Sequence, residues 1–182
     1  MVELLLLRHG IAADAVDEPG LDPQLADGAR PLTPAGRRRT AAVLQRLLTL
    51  DLTCNQLFTS PLLRARQTAE LALQAGLAPA LSEAPALAPG GDAAGWLRQL
   101  GAATSLDVQP LGVQPPCVER PCVERWALVG HEPDLSCLAA GLIGADPGSL
   151  QLKKAGVALL AWTPGQARAR LLLLVPPRAL LL

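Results

Sequence analysis

Tyrosine is absent from this 182-residue chain; phenylalanine occurs once and tryptophan three times. So few rings leave no stacking platforms for the bases of single-stranded nucleic acid. Neither sign of charge dominates, since 16 Lys and Arg balance 16 Asp and Glu. No basic field draws in nucleic acid, and no acidic excess points to disorder. Cysteine occurs at 54, 117, 122 and 137, with no CxxC spacing, and histidine only at 9 and 131. That is too little for a usual zinc pattern, and four cysteines in a chain this long make no disulfide scaffold. They read as reduced thiols of a cytoplasmic protein. A membrane-spanning helix needs about 18 or more apolar residues, and no such run exists. The nearest, LLLLVPPRALLL, is broken by Pro176, Pro177 and Arg178. Residues 2–7 are too short for a signal-peptide core and are stopped by Arg8.

The length favours one domain, or at most two small ones, and with half of its residues apolar the chain can fill a sizeable core. VELLLL (2–7) is a continuous apolar run, as expected of a strand buried on both faces. Residues 11–32 carry Asp, Gly, Pro and Ala without periodicity and read as loop. Thr33-Pro34 is an N-cap followed by proline at the first helical position. Behind it Ala41, Val43, Leu44, Leu47 and Leu48 share one face of an amphipathic helix. NQLFTS (55–60) is a short strand. Ser60-Pro61 repeats the cap signal before a helix that runs to Gly76. One short strand fits within 77–92, and a helix around Trp96, Leu97 and Leu100 fits 93–103. ERWALVG (124–130) is a strand, and a helix starts at Pro133 and runs to about Ile143. VALLAW (157–162) and ARLLLLV (169–175) form a closing hairpin around Pro164-Gly165. The alternation predicts a three-layer α/β/α sandwich with a mainly parallel, mixed sheet. In residues 105–124 the tandem PCVER-PCVER reads as a duplicated loop segment at the entrance of a strand. Cys117 and Cys122 have the wrong spacing for a metal or redox pair.

In such sheets ligands sit beyond the carboxyl ends of strands. Three strands end there in polar groups: Arg8-His9, Ser60 ahead of Arg64, and His131. Arg8 offers a planar fork of donors suited to phosphate oxygens. An imidazole beside a guanidinium resists protonation and stays nucleophilic. Arg64 falls in the first turns of its helix, where a phosphate meets both the dipole and a guanidinium. Arg66 reads as a solvated helix residue. Together, His9 would attack phosphorus in line, Arg8 and Arg64 would bind the equatorial oxygens, and His131 would donate a further hydrogen bond. The guanidinium charges stand where a metal would, so neither metal nor other cofactor is called for. No Walker loop is present.

These residues resemble a known family. RHG (8–10), RPLTPAG (30–36), SPLLRARQTAE (60–70) and VGHEPDL (129–135), in that order, are similar to the histidine phosphatase superfamily, also called phosphoglycerate-mutase-like. The compact length, the RPLT block and PGGD (89–92) look most like its SixA-type phosphohistidine phosphatases. The resemblance covers roughly residues 2–163. It implies one histidine phosphatase domain over 1–182, with 105–124 as a loop insertion and 176–182 as a tail. It implies that His9 is transiently phosphorylated, that Arg8, Arg64 and His131 complete the phosphate pocket, and that Arg30 lines its mouth. Thr33 and Gly36 serve helix initiation.

The general acid is the gap in the pattern. Glu83, Asp92 and Glu132 are the candidates, and Glu132 directly follows His131, although Pro133 can turn it toward the helix start. A phosphohistidine P–N bond is labile and its imidazole leaves once protonated by solvent, whereas an alkyl phosphate needs an acid far more. The expectation is a metal-independent phosphatase of phosphohistidine on a signalling protein, with a histidine-containing phosphotransfer domain as partner. The alternatives are a phosphatase of small phosphomonoesters and a non-catalytic phosphate- or phosphoprotein-binding module. A mutase lacks a segment to enclose a bisphosphate.

Overall fold

The computed structural model describes residues 1–14, 27–106 and 123–182, without side chains for 104–106. Most of the 105–124 stretch, including Cys117 and Cys122, lies outside the described residues.

The first strand, β1 (Val2–Arg8), forms where the apolar run was expected, with Leu4, Leu5, Leu6 and Leu7 fully buried. Strand periodicity sends alternate side chains to opposite faces, so this one run feeds two cores. Leu5 and Leu7 pack with Val43, Leu44 and Leu47 of α1 (Pro34–Thr49) and Ala65, Ala69 and Ala72 of α2 (Leu63–Gln74). Leu4 and Leu6 pack with Leu97 of α3 (Ala93–Leu106) and Leu135 and Leu138 of α4 (Asp134–Ile143). Helices on both faces make the three layers. Truncating any one of these leucines to Ala costs about 2–5 kcal/mol, the usual range for a core leucine.

Among the described residues the sheet has six strands. With β2 (Gln56–Thr59), β3 (Leu81–Glu83), β4 (Glu124–Gly130), β5 (Val157–Trp162) and β6 (Ala169–Val175), the order is β3-β2-β4-β1-β5-β6. The pairs β3-β2, β2-β4 and β4-β1 are parallel, and the closing hairpin adds β5 and β6 antiparallel. This is the expected mixed sheet.

Helix α1 starts as read. Thr33 caps it by accepting the Gly36 amide at 2.9 Å, with Pro34 following. Gly36 itself is needed for contact, since a Cβ there would strike the Ile11 carbonyl. Helix α2 departs from expectation. Its N-cap is Leu62, with no side-chain bond, and Ser60 is not the cap. The Ser60 hydroxyl is turned to His131 instead.

At the opposite end of the strands, the second PCVER copy supplies an anchor. Arg125 of β4 is buried and donates to Glu3 Oε2 from Nε at 2.8 Å, and to the Asp51 and Thr53 carbonyls. The tail forms a short helix, α5 (Pro177–Leu180), whose Leu180 joins the core beneath α1. Cys54 is a buried free thiol, pushed up to about 12 mainly by burial, and Cys137 is an exposed free thiol. Among the described residues, no helix is long and apolar enough to cross a membrane.

Candidate active site

Parallel register brings the candidate residues together. Arg8 stands opposite Gly130, and Thr59 opposite Val129, so the next residues of β1, β4 and β2 emerge side by side. Those residues are His9, His131 and Ser60. The His9 amide donates to the Gly130 carbonyl at 3.1 Å, and the Ser60 amide to the Val129 carbonyl at 3.0 Å. The two imidazoles lie 5.1 Å apart between ring centroids, tilted by 51°. Arg64 enters from the first turn of α2 and is buried, whereas Arg66 faces solvent.

The tautomer of His9 follows from its partner. Its Nδ1 lies 2.7 Å from the Gly10 carbonyl, which can only accept, so Nδ1 carries the proton. The lone pair is then on Nε2. Burial, and then the charges of Arg64, Arg8 and Lys154, hold the ring at about 4 against the pull of the Gly10 carbonyl. His9 is therefore neutral and nucleophilic at neutral pH. Gly10 is fixed in turn, because its amide donates to Thr68 Oγ1 at 3.0 Å and a Cβ there would strike Thr40 Oγ1.

His131 is arranged the other way round. Its Nε2 lies 2.8 Å from Ser60 Oγ, which also accepts the Leu62 amide at 3.3 Å. The Leu62 amide occupies one lone pair of Ser60 Oγ; where the hydroxyl donates its proton to Nε2, the His131 proton lies on Nδ1. Nδ1 is buried without a hydrogen-bond partner among the described residues, as is Nε of Arg8. Two buried nitrogens without partners, one of them a guanidinium donor, suit an anion beside His9, since such groups are costly to leave unmatched. Burial, reinforced by His9, Arg64 and Arg8, lowers His131 to about 3 despite the opposing charge of Asp27.

The arginines are held from behind. Arg8 donates from Nη1 to the Leu152 carbonyl at 2.8 Å. Glu132 accepts the Ser136 hydroxyl at 2.6 Å and the Leu152 amide at 3.3 Å, and its charge acts on Arg8. Both of its oxygens are thereby engaged along the start of α4 and the segment that holds Arg8. Asp92 accepts the Gly95 amide at 2.7 Å at the start of α3, and Glu83 is exposed at the end of β3.

Asp27 was missed in the sequence. Asp27 accepts Nη2 of Arg64 on Oδ2 at 2.9 Å, and its own carbonyl accepts Nη1 at 2.7 Å. Its Oδ1 accepts Nη1 of Arg30 at 2.9 Å, while Nε of Arg30 donates to the Ala13 carbonyl. Arg30 therefore reaches Arg64 through Asp27. Burial pushes the Asp27 carboxyl up, but the two guanidiniums outweigh it and hold it below the usual range. Only the Asp-x-x-Arg spacing hinted at this pair.

Residues 4–87 match the family model described as histidine phosphatase superfamily (branch 1). An uncharacterized protein of Picosynechococcus sp. is 38% identical over 190 residues, covering 99% of each chain. The chain belongs to the histidine phosphatase superfamily. Its fold is that of the superfamily's solved members. The structure of the protein histidine phosphatase SixA complexed with tungstate is similar at a TM-score of 0.76 and 22% identity, over 98% of this chain and 99% of that one. A mycobacterial glucosyl-3-phosphoglycerate phosphatase is similar at 0.64 and 18% identity, over 94% and 97%. Within this histidine phosphatase fold, the four residues Arg8, His9, Arg64 and His131 meet at the carboxyl ends of β1, β2 and β4.

Proposed function

We propose that this chain is a metal-independent phosphatase that works through a phosphohistidine on His9. The observation that carries the reading is the pairing of the two buried imidazoles: His9 has its lone pair on Nε2, and His131, with ring centroids 5.1 Å apart, holds an Nδ1 that is buried without a partner among the described residues. A tetrahedral phosphoryl group seated between them would meet a nucleophile on one side and donors around its equator. Arg64 exchanges Asp27 for the phosphoryl oxygens, and Arg8 Nε and His131 Nδ1 are nitrogens without a partner among the described residues that would face them. Charge on those oxygens is met by groups already in place, which is most of what phosphoryl transfer requires.

In the first step His9 Nε2 forms a bond to phosphorus while the bond to the leaving group breaks. The leaving group keeps the electron pair and takes a proton from solvent. In the second step water attacks phospho-His9, the P–N bond breaks, the electron pair returns to Nε2, and inorganic phosphate leaves with both protons of that water. His9 returns neutral, with Nδ1–H still on Gly10.

Phosphohistidine on a signalling protein is the substrate we infer. Among the described residues no carboxylate hydrogen-bonds to His9 or His131, and Glu132 is engaged with Ser136 and Leu152. We therefore assign Glu132 to holding the Arg8 segment. A leaving imidazole gains its proton from water readily, whereas an alkoxide would need a placed acid. The likeness of the fold to the protein histidine phosphatase SixA supports this reading. A histidine-containing phosphotransfer domain in the cytoplasm is the partner we infer. Small phosphomonoesters are the second reading, favoured by the similar fold of the glucosyl-3-phosphoglycerate phosphatase.

Turnover of a generic aryl phosphate tests the chemistry. Hydrolysis lost in His9→Ala and unmoved by a chelator supports the enzyme, and binding without turnover by the wild type supports a phosphate-binding module instead. Faster turnover of sugar phosphates than of a phosphorylated phosphotransfer domain would overturn the substrate.

A further inference from the structure

A cavity of about 710 Å³ opens beside the phosphate site and shares only Arg8 with it. Its walls come from Ile11, the start of α1, the segment before β5, and the end of β6 with α5. Arg39, Lys153, Lys154 and Arg178 join Arg8 around it, and no Asp or Glu lines it among the described residues. The chain as a whole is neutral, so this gathering of one sign is local. None of the five cations forms an ion pair with a described carboxylate. Glu132, whose charge acts on Arg8, does not line the groove. Arg39, Lys153, Lys154 and Arg178 are exposed, and one wall is apolar, with Leu174 followed by Val175, Pro176 and Pro177.

We propose that this groove docks an acidic segment of the phosphorylated protein, running from the phosphohistidine past Arg8 toward Arg178. The proposal rests on the phosphohistidine reading above and names the sequence that would surround such a histidine: Asp or Glu within a few residues, with one aliphatic side chain against Leu174 and the prolines. A second phosphate on a small ligand would need a few donors converging on one point. Here the cations come from separate chain segments and stand around an apolar wall, which fits a chain with several carboxylates. The same field steers an acidic partner toward the site, because a cleft lined by one sign of charge raises the local concentration of its counterion.

Histidine peptides phosphorylated with phosphoramidate provide the probe. Two peptides share one sequence, except that Asp and Glu beside the phosphohistidine in one are Asn and Gln in the other. The wild type is expected to turn over the acidic peptide with kcat/KM about tenfold higher at low salt, the sum of several modest exposed pairs. The preference should shrink as salt is added. In the double variant K153E/R178E the preference disappears or reverses. Aryl phosphate turnover, which uses the phosphate site alone, stays within about twofold and reports that the variant is folded. Equal rates on the two peptides would overturn the docking segment and leave the phosphohistidine reading standing. An unchanged preference in the double variant would also overturn it. Hydrolysis of the aryl phosphate but of neither peptide would remove the substrate reading, and the docking segment with it. Dependence of a small bisphosphate, but not of the peptides, on Lys153 and Arg178 would assign the groove to a small polyanion and overturn the proposal.

Discussion

The carboxylate of Asp27 lies 2.9 Å from Nη2 of Arg64, and the backbone carbonyl of the same residue lies 2.7 Å from Nη1. The guanidinium that would hold a phosphoryl group thus already holds an anion of the chain. A substrate phosphoryl group would compete with Asp27 for it, while Arg30 holds the other carboxylate oxygen of Asp27.

Replacing the charge should therefore tighten phosphate binding. Asp27→Asn is expected to lower the inhibition constant of inorganic phosphate by roughly threefold to tenfold. A charged hydrogen bond is worth more than that, but Asp27 is partly exposed and its pairing is screened. Inhibition of aryl phosphate hydrolysis measures it. A weaker phosphate site in Asp27→Asn would mean that the carboxylate holds Arg64 in place and does not compete with substrate.

Ser60 is the partner of His131 Nε2, and its loss should be felt in catalysis more than in binding. Without the hydroxyl, His131 Nε2 loses its partner at 2.8 Å. Ser60→Ala is expected to lower kcat about tenfold, the equivalent of one hydrogen bond at the transition state. KM should change less. An unaltered kcat would remove Ser60 from the site and return it to local turn formation.

Protonation should matter only in acid. The His9 ring is lowered to about 4 and the His131 ring to about 3, in both cases chiefly by burial. The unfolded chain takes up these protons near 6.5. Below that pH the unfolded state binds protons that the folded state refuses, so stability falls as pH drops from about 6.5 toward the folded values. Activity should stay level through neutral pH and decline as His9 titrates near 4. Since the chain has two histidines, imidazole proton resonances report both directly. Titration of either ring near 6.5 in the folded protein would contradict the burial and the pairing described here.

Legibility in the sequence followed the range of the interactions. The apolar run at 2–7, the Thr33-Pro34 cap and the hairpin at Pro164-Gly165 are written in neighbouring residues, and all three stand in the structure. Both histidines were legible because each directly follows a strand that ends in this plane. Ser60 was misread because Ser-Pro is a local cap signal, while its partner lies 71 residues away. The link of Asp27 to Arg64 was hidden for the same reason, with Arg64 37 residues along the chain. Thr68 looks like any helix threonine until the Gly10 amide is seen to donate to it. The tail offered no motif, yet Leu180 is buried, because the space beneath α1 exists only once the layers are assembled.

Trapping the covalent intermediate tests the account most directly. A phosphohistidine peptide carrying labelled phosphorus is mixed with the protein and quenched in alkali within the first turnover, and the label is mapped by peptide. The account predicts label on His9 that survives alkali, is lost in acid and is absent from His9→Ala. Label on His131, or turnover by His9→Ala at the wild-type rate, would contradict it.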